Sequence, residues 1–197
     1  MKVIFLDIDG VICTTGNDIY LNRQYKQGYW LNFKYNDMFY IIYNFFKKII
    51  GLKRGDYLTY FYYKYFTDIF KLDPICCSNL QYILDHEPDV RIVVSSVWRS
   101  WGTKCLKKIL KINGIDPNKV IDITTLKRIE RDGHVLRGYQ IEEWLNEHTV
   151  EKYLIIDDDS DMTGNQLNNF VQTNSFNGLT FVDVEKCLKI LKTEVKQ

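Results

Sequence analysis

Five short apolar runs constrain this chain more than any other feature. They are "KVIFLD" (2–7), "VRIVVSS" (90–96), "KVIDIT" (119–124), "KYLIIDD" (152–158) and "LTFVD" (179–183). Most are near-continuous rather than alternating, the pattern of strands buried on both faces. Helical periodicity lies between them. Asp73-Pro74 supplies an N-cap and a first-turn proline for a helix to about His86, with Leu80, Ile83 and Leu84 inward. A second helix, from about Gly102 to Asn113, turns Leu106, Ile109 and Leu110 to one face and stops at Gly114. A third, from about Gly138 to His148, buries Ile141, Trp144 and Leu145; a fourth after Asp183 sets Val184, Cys187, Leu188 and Leu191 on one stripe. The alternation predicts an α/β chain with a parallel sheet and helices on both faces. Chemistry in such sheets gathers at the carboxyl ends of the strands.

One interval breaks the rhythm. About eighty residues separate the first two strands, where a crossover needs a few tens. Residues 14–72 therefore read as an insertion, a mostly helical cap, and residues 1–13 with 73–197 as the core. The insertion holds 19 of the chain's 29 aromatic residues, nine Lys or Arg and four Asp. Tyrosines interleaved with bases suit a nucleic-acid strand by stacking and phosphate contact; they equally suit a small cap that needs large side chains to form a core. Lys47, Lys48, Lys53, Arg54 and Lys64 are the candidates for a solvent-facing basic surface.

The formal net charge is +1, which gives no overall attraction to nucleic acid or membrane. The apolar runs are too short to span a bilayer, and no signal peptide is evident. Five cysteines without a CxxC pair fit reduced thiols in a soluble, cytoplasmic protein. His86, His134 and His148 have no ligand spacing.

The acids fall at strand ends: Asp7 and Asp9 after the first, and Asp157, Asp158, Asp159 and Asp161 after the fourth, with Ser95 and Ser96 closing the second. Carboxylates brought to one edge repel, and a divalent cation removes the conflict. Hard oxygen ligands on a partly open site favour Mg²⁺, which shares its shell with water and phosphate.

These segments resemble the haloacid dehalogenase (HAD) superfamily: "VIFLDIDGVI" its first motif, "RIVVSS" its second, "YLIIDDDSD" its fourth. "SSVWRSW", "LRGYQIEEWL" and "IIDDDSD" are similar to the HAD domain of multifunctional RNA-repair proteins. The resemblance covers residues 1–13 and roughly 74–185 and implies a Rossmann-like HAD fold and a phosphatase. It implies Asp7 as the nucleophile forming an aspartyl-phosphate, Asp9 as general acid and base, and Gly10 as the turn that lets backbone approach substrate. It implies that the Ser95 hydroxyl and the Ser96 N–H hold phosphate. Asp7, the Asp9 carbonyl, Asp157 and Asp158 would bind Mg²⁺, with Asp161 a further candidate. The family's third motif is normally a lysine; Arg137 is the best-placed cation here, with Lys127 and Arg128 as competitors. Arg99, directly after the second motif, is a candidate for phosphate or leaving group, while Trp98 and Trp101 read as packing.

The expected activity is Mg²⁺-dependent phosphomonoester hydrolysis, on a nucleotide or on RNA or DNA ends. The alternatives are a small-metabolite phosphatase, acting on a mononucleotide or sugar phosphate, and a non-catalytic nucleic-acid-binding module on the same scaffold. Oligomeric state is left open.

Overall fold

A computed structural model describes residues 1–26 and 72–192. The chain divides into one unit of Met1–Thr15 with Leu72–Gln197 and a second of Gly16–Lys71. Of the second unit, helix α1 (Thr15–Lys26) is described, with Asp18 in its first turn, where a negative charge suits the helix dipole. The rest of the proposed cap, including Lys47, Lys48, Lys53, Arg54 and Lys64, lies outside the described residues.

The first unit is built on a five-stranded, all-parallel sheet. In chain order its elements are β1 (Lys2–Leu6), α2 (Pro74–His86), β2 (Val90–Val94), α3 (Thr103–Ile112), β3 (Val120–Ile123), α4 (Arg137–Glu147), β4 (Lys152–Asp157), β5 (Phe170–Gln172) and α5 (Phe181–Lys192). The strand order is β3-β2-β1-β4-β5. This is the Rossmann-like α/β arrangement expected of the HAD fold. Helix α2 starts as the sequence predicts: the Asp73 carboxylate accepts from the N–H groups of Ile75 and Cys76, and Pro74 opens the first turn.

β1 lies at the centre and both its faces are covered. Val3 and Phe5 pack with Val93, Ile155, Ile141 and Trp144, the Phe5 and Trp144 rings meeting edge to face at 5.4 Å. Ile4 and Leu6, which point the other way, are also fully buried. Each such side chain contributes roughly 1.5–3 kcal/mol of burial. The sequence reads this correctly: a strand with water on neither face has no reason to alternate.

The fifth strand is a correction. The sequence suggests 179–183, but the strand is Phe170–Gln172, and 181–192 is helix. Thr180 and Asp183 explain the difference. The Thr180 hydroxyl and N–H both donate to the Asp183 carboxylate, and the Asp183 N–H donates back to Thr180 Oγ1. This reciprocal cap starts a helix in a stretch whose Thr, Phe and Val favour strand.

All five cysteines are free thiols. Burial pushes Cys76, Cys77 and Cys187 up to about 12, so these three are inert at neutral pH. No helix among the described residues is long and apolar enough to cross a membrane.

Candidate active site

Register places the acids. Leu6 lies opposite Val94 of β2 and Ile156 of β4, so all three strands end level. The Asp7 N–H donates to Ile156 O at 3.0 Å and the Ser95 N–H to Leu6 O at 2.8 Å. The chain then alternates once more. Asp7 is buried, Ile8 enters the core and Asp9 is exposed. A tight turn follows, in which the Ile8 carbonyl accepts from the N–H groups of Val11, Ile12 and Cys13. Gly10 takes φ +72°, and a Cβ there would lie 2.2 Å from the Asp158 carboxyl carbon. Position 10 is empty of side chain so that an acid from β4 can occupy its place.

Ligand oxygens of Asp7, Asp157 and Asp158 lie within 4.8 Å of one another. Arg137, the first residue of α4, bridges two of them. Its Nη1 donates to Asp7 Oδ1 at 2.9 Å, and its Nε lies 3.1 Å from Asp157 Oδ2. Nη1 also donates to the Ser95 carbonyl. Asp161 holds the arginine's backbone: its Oδ2 accepts the Arg137 N–H at 3.0 Å, and its carbonyl accepts the Gly138 N–H at 3.1 Å.

Burial, outweighing the opposing charge of Arg137 and hydrogen bonds from the Ser96 hydroxyl and the Ile8 backbone, raises Asp7 to about 6. Burial first and then the Asp7 charge raise Asp157 to about 8 despite the arginine. Burial and Asp159 also raise Asp158. On Arg137, burial works against the charge, but Asp7, Asp157, Asp161 and Asp159 together outweigh it and hold the proton more tightly.

This acid set fits a hard divalent cation. Three carboxylates converge beside a single guanidinium. Asp157 Oδ2 is buried and, although the Arg137 Nε lies 3.1 Å away, receives no aligned hydrogen bond, so it can still turn a lone pair to an ion. The Asp9 carboxylate is not part of the cluster. Its Oδ2 accepts from Trp98 Nε1 at 3.0 Å. Asp159 is exposed and contributes its N–H to Asp157 Oδ1 at 3.0 Å.

Ser95 and Ser96 are both buried. Ser96 Oγ accepts from the Trp98 N–H at 3.4 Å, whereas Ser95 Oγ faces Thr124 Oγ1 at 3.5 Å. Trp98 is buried, 4.8 Å centroid to centroid from Trp101, and its indole N–H steers Asp9; packing was only half its role. Arg99 donates from Nε to Thr125 O (3.1 Å), from Nη1 to Ser96 O (2.8 Å) and from Nη2 to Gln140 Oε1 (3.0 Å). Burial and the Arg137 charge both weaken its hold on its proton, and Asp7 partly restores it. Of the three candidate cations, Arg137 meets Asp7, while Lys127 and Arg128 are exposed.

Sequence reasoning missed Gln140, Gln166 and Thr173. Gln140 is buried and ties Arg99 to the Lys127 carbonyl at 2.8 Å. Gln166 accepts from the Thr163 N–H and donates to Gly138 O. The Thr173 hydroxyl donates to Gly10 O at 2.9 Å. A Thr163-to-Gln166 spacing at the start of a 3-10 turn is a legible capping signal; the other two residues leave no local pattern.

A parallel sheet in this order, with acids stepping off two adjacent strand ends and a cation between them, is the HAD architecture. The chain belongs to the family described as the HAD domain in Swiss Army Knife RNA repair proteins, whose model matches residues 3–184. That interval brackets the inserted segment. No curated protein and no solved structure matches the chain significantly.

Proposed function

We propose that the protein hydrolyses phosphate monoesters, with Asp7 as nucleophile. The observation that carries this is the placement of Asp7: buried at the end of the central strand, one oxygen on Arg137, and within shared-ligand reach of Asp157 and Asp158. An Asp7 oxygen attacks phosphorus, and the ester P–O bond breaks. Asp9, which the Trp98 N–H orients, gives its proton to the departing oxygen. It then takes one from the water that cleaves the aspartyl-phosphate and regenerates Asp7. Arg137 offers charge and N–H groups to the phosphoryl oxygens. The Ser95 N–H is committed to Leu6 O, so in this reading the Ser95 hydroxyl and the Ser96 N–H are what β2's end offers to phosphate. Mg²⁺ held by Asp7, Asp157, Asp158 and the Asp9 carbonyl would supply the positive charge that lets an anionic ester approach a carboxylate. Gly10 gives Asp158 the room to take part.

The substrate we favour is a nucleotide or a polynucleotide end, which the family's description and the basic, aromatic insertion both support. A mononucleotide or sugar-phosphate phosphatase is distinguished by comparing end-phosphorylated oligonucleotides with mononucleotides at two salt concentrations. A polynucleotide preference that weakens with salt supports the favoured reading. The central test is Asp7→Asn. Mg²⁺-dependent phosphate release from an aryl phosphate should fall by at least about a thousandfold; turnover within tenfold of the parent removes Asp7 from the nucleophile's role.

A further inference from the structure

The segments following β2 and β3 and the start of α4 line an open cavity of about 270 Å³ that reaches Arg137 of the acid cluster. Its wall carries three arginines, Arg99, Arg128 and Arg137, and four apolar side chains, of which Val97, Leu126 and Val135 are exposed and Leu136 is half-buried. Val97, Leu126 and Val135 are 66%, 61% and 39% exposed. They form a wettable apolar rim around cations rather than an extension of the core.

The arginines are not equivalent. Arg137 is occupied by Asp7 and Asp157. The one acid on the wall, Asp161, is turned to the Arg137 backbone. Arg99 is held by two carbonyls and one amide oxygen, all neutral. Three of its five N–H groups are thereby fixed, which leaves one on each terminal nitrogen and a charge that no carboxylate meets in direct contact. Arg128 is exposed on the same wall. Among the described residues, neither Arg99 nor Arg128 has a carboxylate within ion-pair distance. A half-buried guanidinium aimed by neutral oxygens, next to a second cation, is costly unless an anion arrives.

We propose that this cavity binds a second phosphate, carried on the leaving group of the ester cleaved at Asp7, with Arg99 and Arg128 on its oxygens and the apolar rim against the nucleoside between the two phosphates. The proposal rests on the reading of Asp7 as a phosphomonoesterase centre and narrows its substrate. The preferred ester is one whose alcohol is itself phosphorylated: a nucleoside bisphosphate, or a strand end whose terminal phosphate is followed by a phosphodiester.

Binding separates this inference from turnover. In the full-length Asp7→Asn protein with Mg²⁺, calorimetric titration would compare adenosine 5′-monophosphate, adenosine 3′-monophosphate, adenosine 3′,5′-bisphosphate and a 5′-phosphorylated dinucleotide. One or two charge-assisted contacts predict that the doubly phosphorylated ligands bind at least about tenfold tighter than either monophosphate. Adding Arg128→Gln, an exposed change, should cut that ratio by at least about threefold; Arg99→Gln should act in the same direction. Tighter binding of the bisphosphate alone assigns the subsite to a free nucleotide, and of the dinucleotide as well to a strand end. A ratio near one in the parent, or one that Arg128→Gln leaves unmoved, overturns the proposal. Phosphate release by the unmutated chain without such discrimination also overturns it and leaves the Asp7 centre standing. Discrimination without any phosphate release does the reverse.

Discussion

Arg137 and Arg99 line one cavity but stand on different terms with the protein. Arg137 opens α4 with a carboxylate on each side. Arg99 sits in the 3-10 turn after β2, and its partners are two carbonyls and an amide. The first arrangement shares the charge with two acids, which makes acids and cation tolerable in a buried place and leaves only part of it for a ligand. The second fixes direction and leaves the charge available. Folding stability should therefore depend on the α4 region, and ligand preference on the β2 region.

The largest effect that can break this contrast is Arg137→Met. Removing one member of a buried charge set typically costs about 3–5 kcal/mol, and here the cost should vary with pH. The acids are raised on folding, so their contribution to stability is present below about pH 4, the unfolded range. It is lost as pH rises through about 6 for Asp7 and about 8 for Asp157. Without the arginine both rise further, so urea unfolding should find the variant's deficit greatest at pH 8 and smallest at pH 5. An equal deficit at both would mean that the arginine does not act through these acids.

Mg²⁺ sharpens the same contrast. It binds the ionised carboxylates, so its stabilisation, about 2.7 kcal/mol at a hundredfold excess over Kd, should be larger at pH 8 than at pH 5. It should also recover part of the Arg137→Met loss. Thermal unfolding with and without a chelator measures both. Gly138→Ala comes next. The added Cβ would lie 2.5 Å from Gln166 Oε1 and 2.6 Å from the Thr163 nitrogen, and displacing them should cost about 2 kcal/mol with a parallel fall in phosphate release. Smallest is Trp98→Phe in the β2 region. It keeps the ring but removes the donor to Asp9; kcat should drop about fivefold, near 1 kcal/mol, with unfolding nearly unchanged. A large loss of stability there would erase the division between the two regions.

The sheet and the convergence of acids were legible because both follow from local pattern. Continuous apolar runs mark strands covered on two sides, and parallel strands must carry their last residues to one edge. The edge strand Phe170–Gln172 was not legible: three residues are too few to display a period, and the Thr180–Asp183 cap lies within side chains that favour strand. Arg137 could be picked out as a cation before strand four, but its bridging of Asp7 and Asp157 could not. The Trp98–Asp9 and Arg99–Gln140 contacts join positions 89 and 41 residues apart. Such pairings arise from how elements dock and leave no trace in local sequence.

The end of β4 contributes Asp157 and the loop that leaves it Asp158; that loop then, through Asp161 and Gln166, grips the beginning of α4. Anion and cation are thus mounted on a single bracket. When that bracket breathes, both travel with it, so thermal motion shifts where the charges sit far more than how far apart they are.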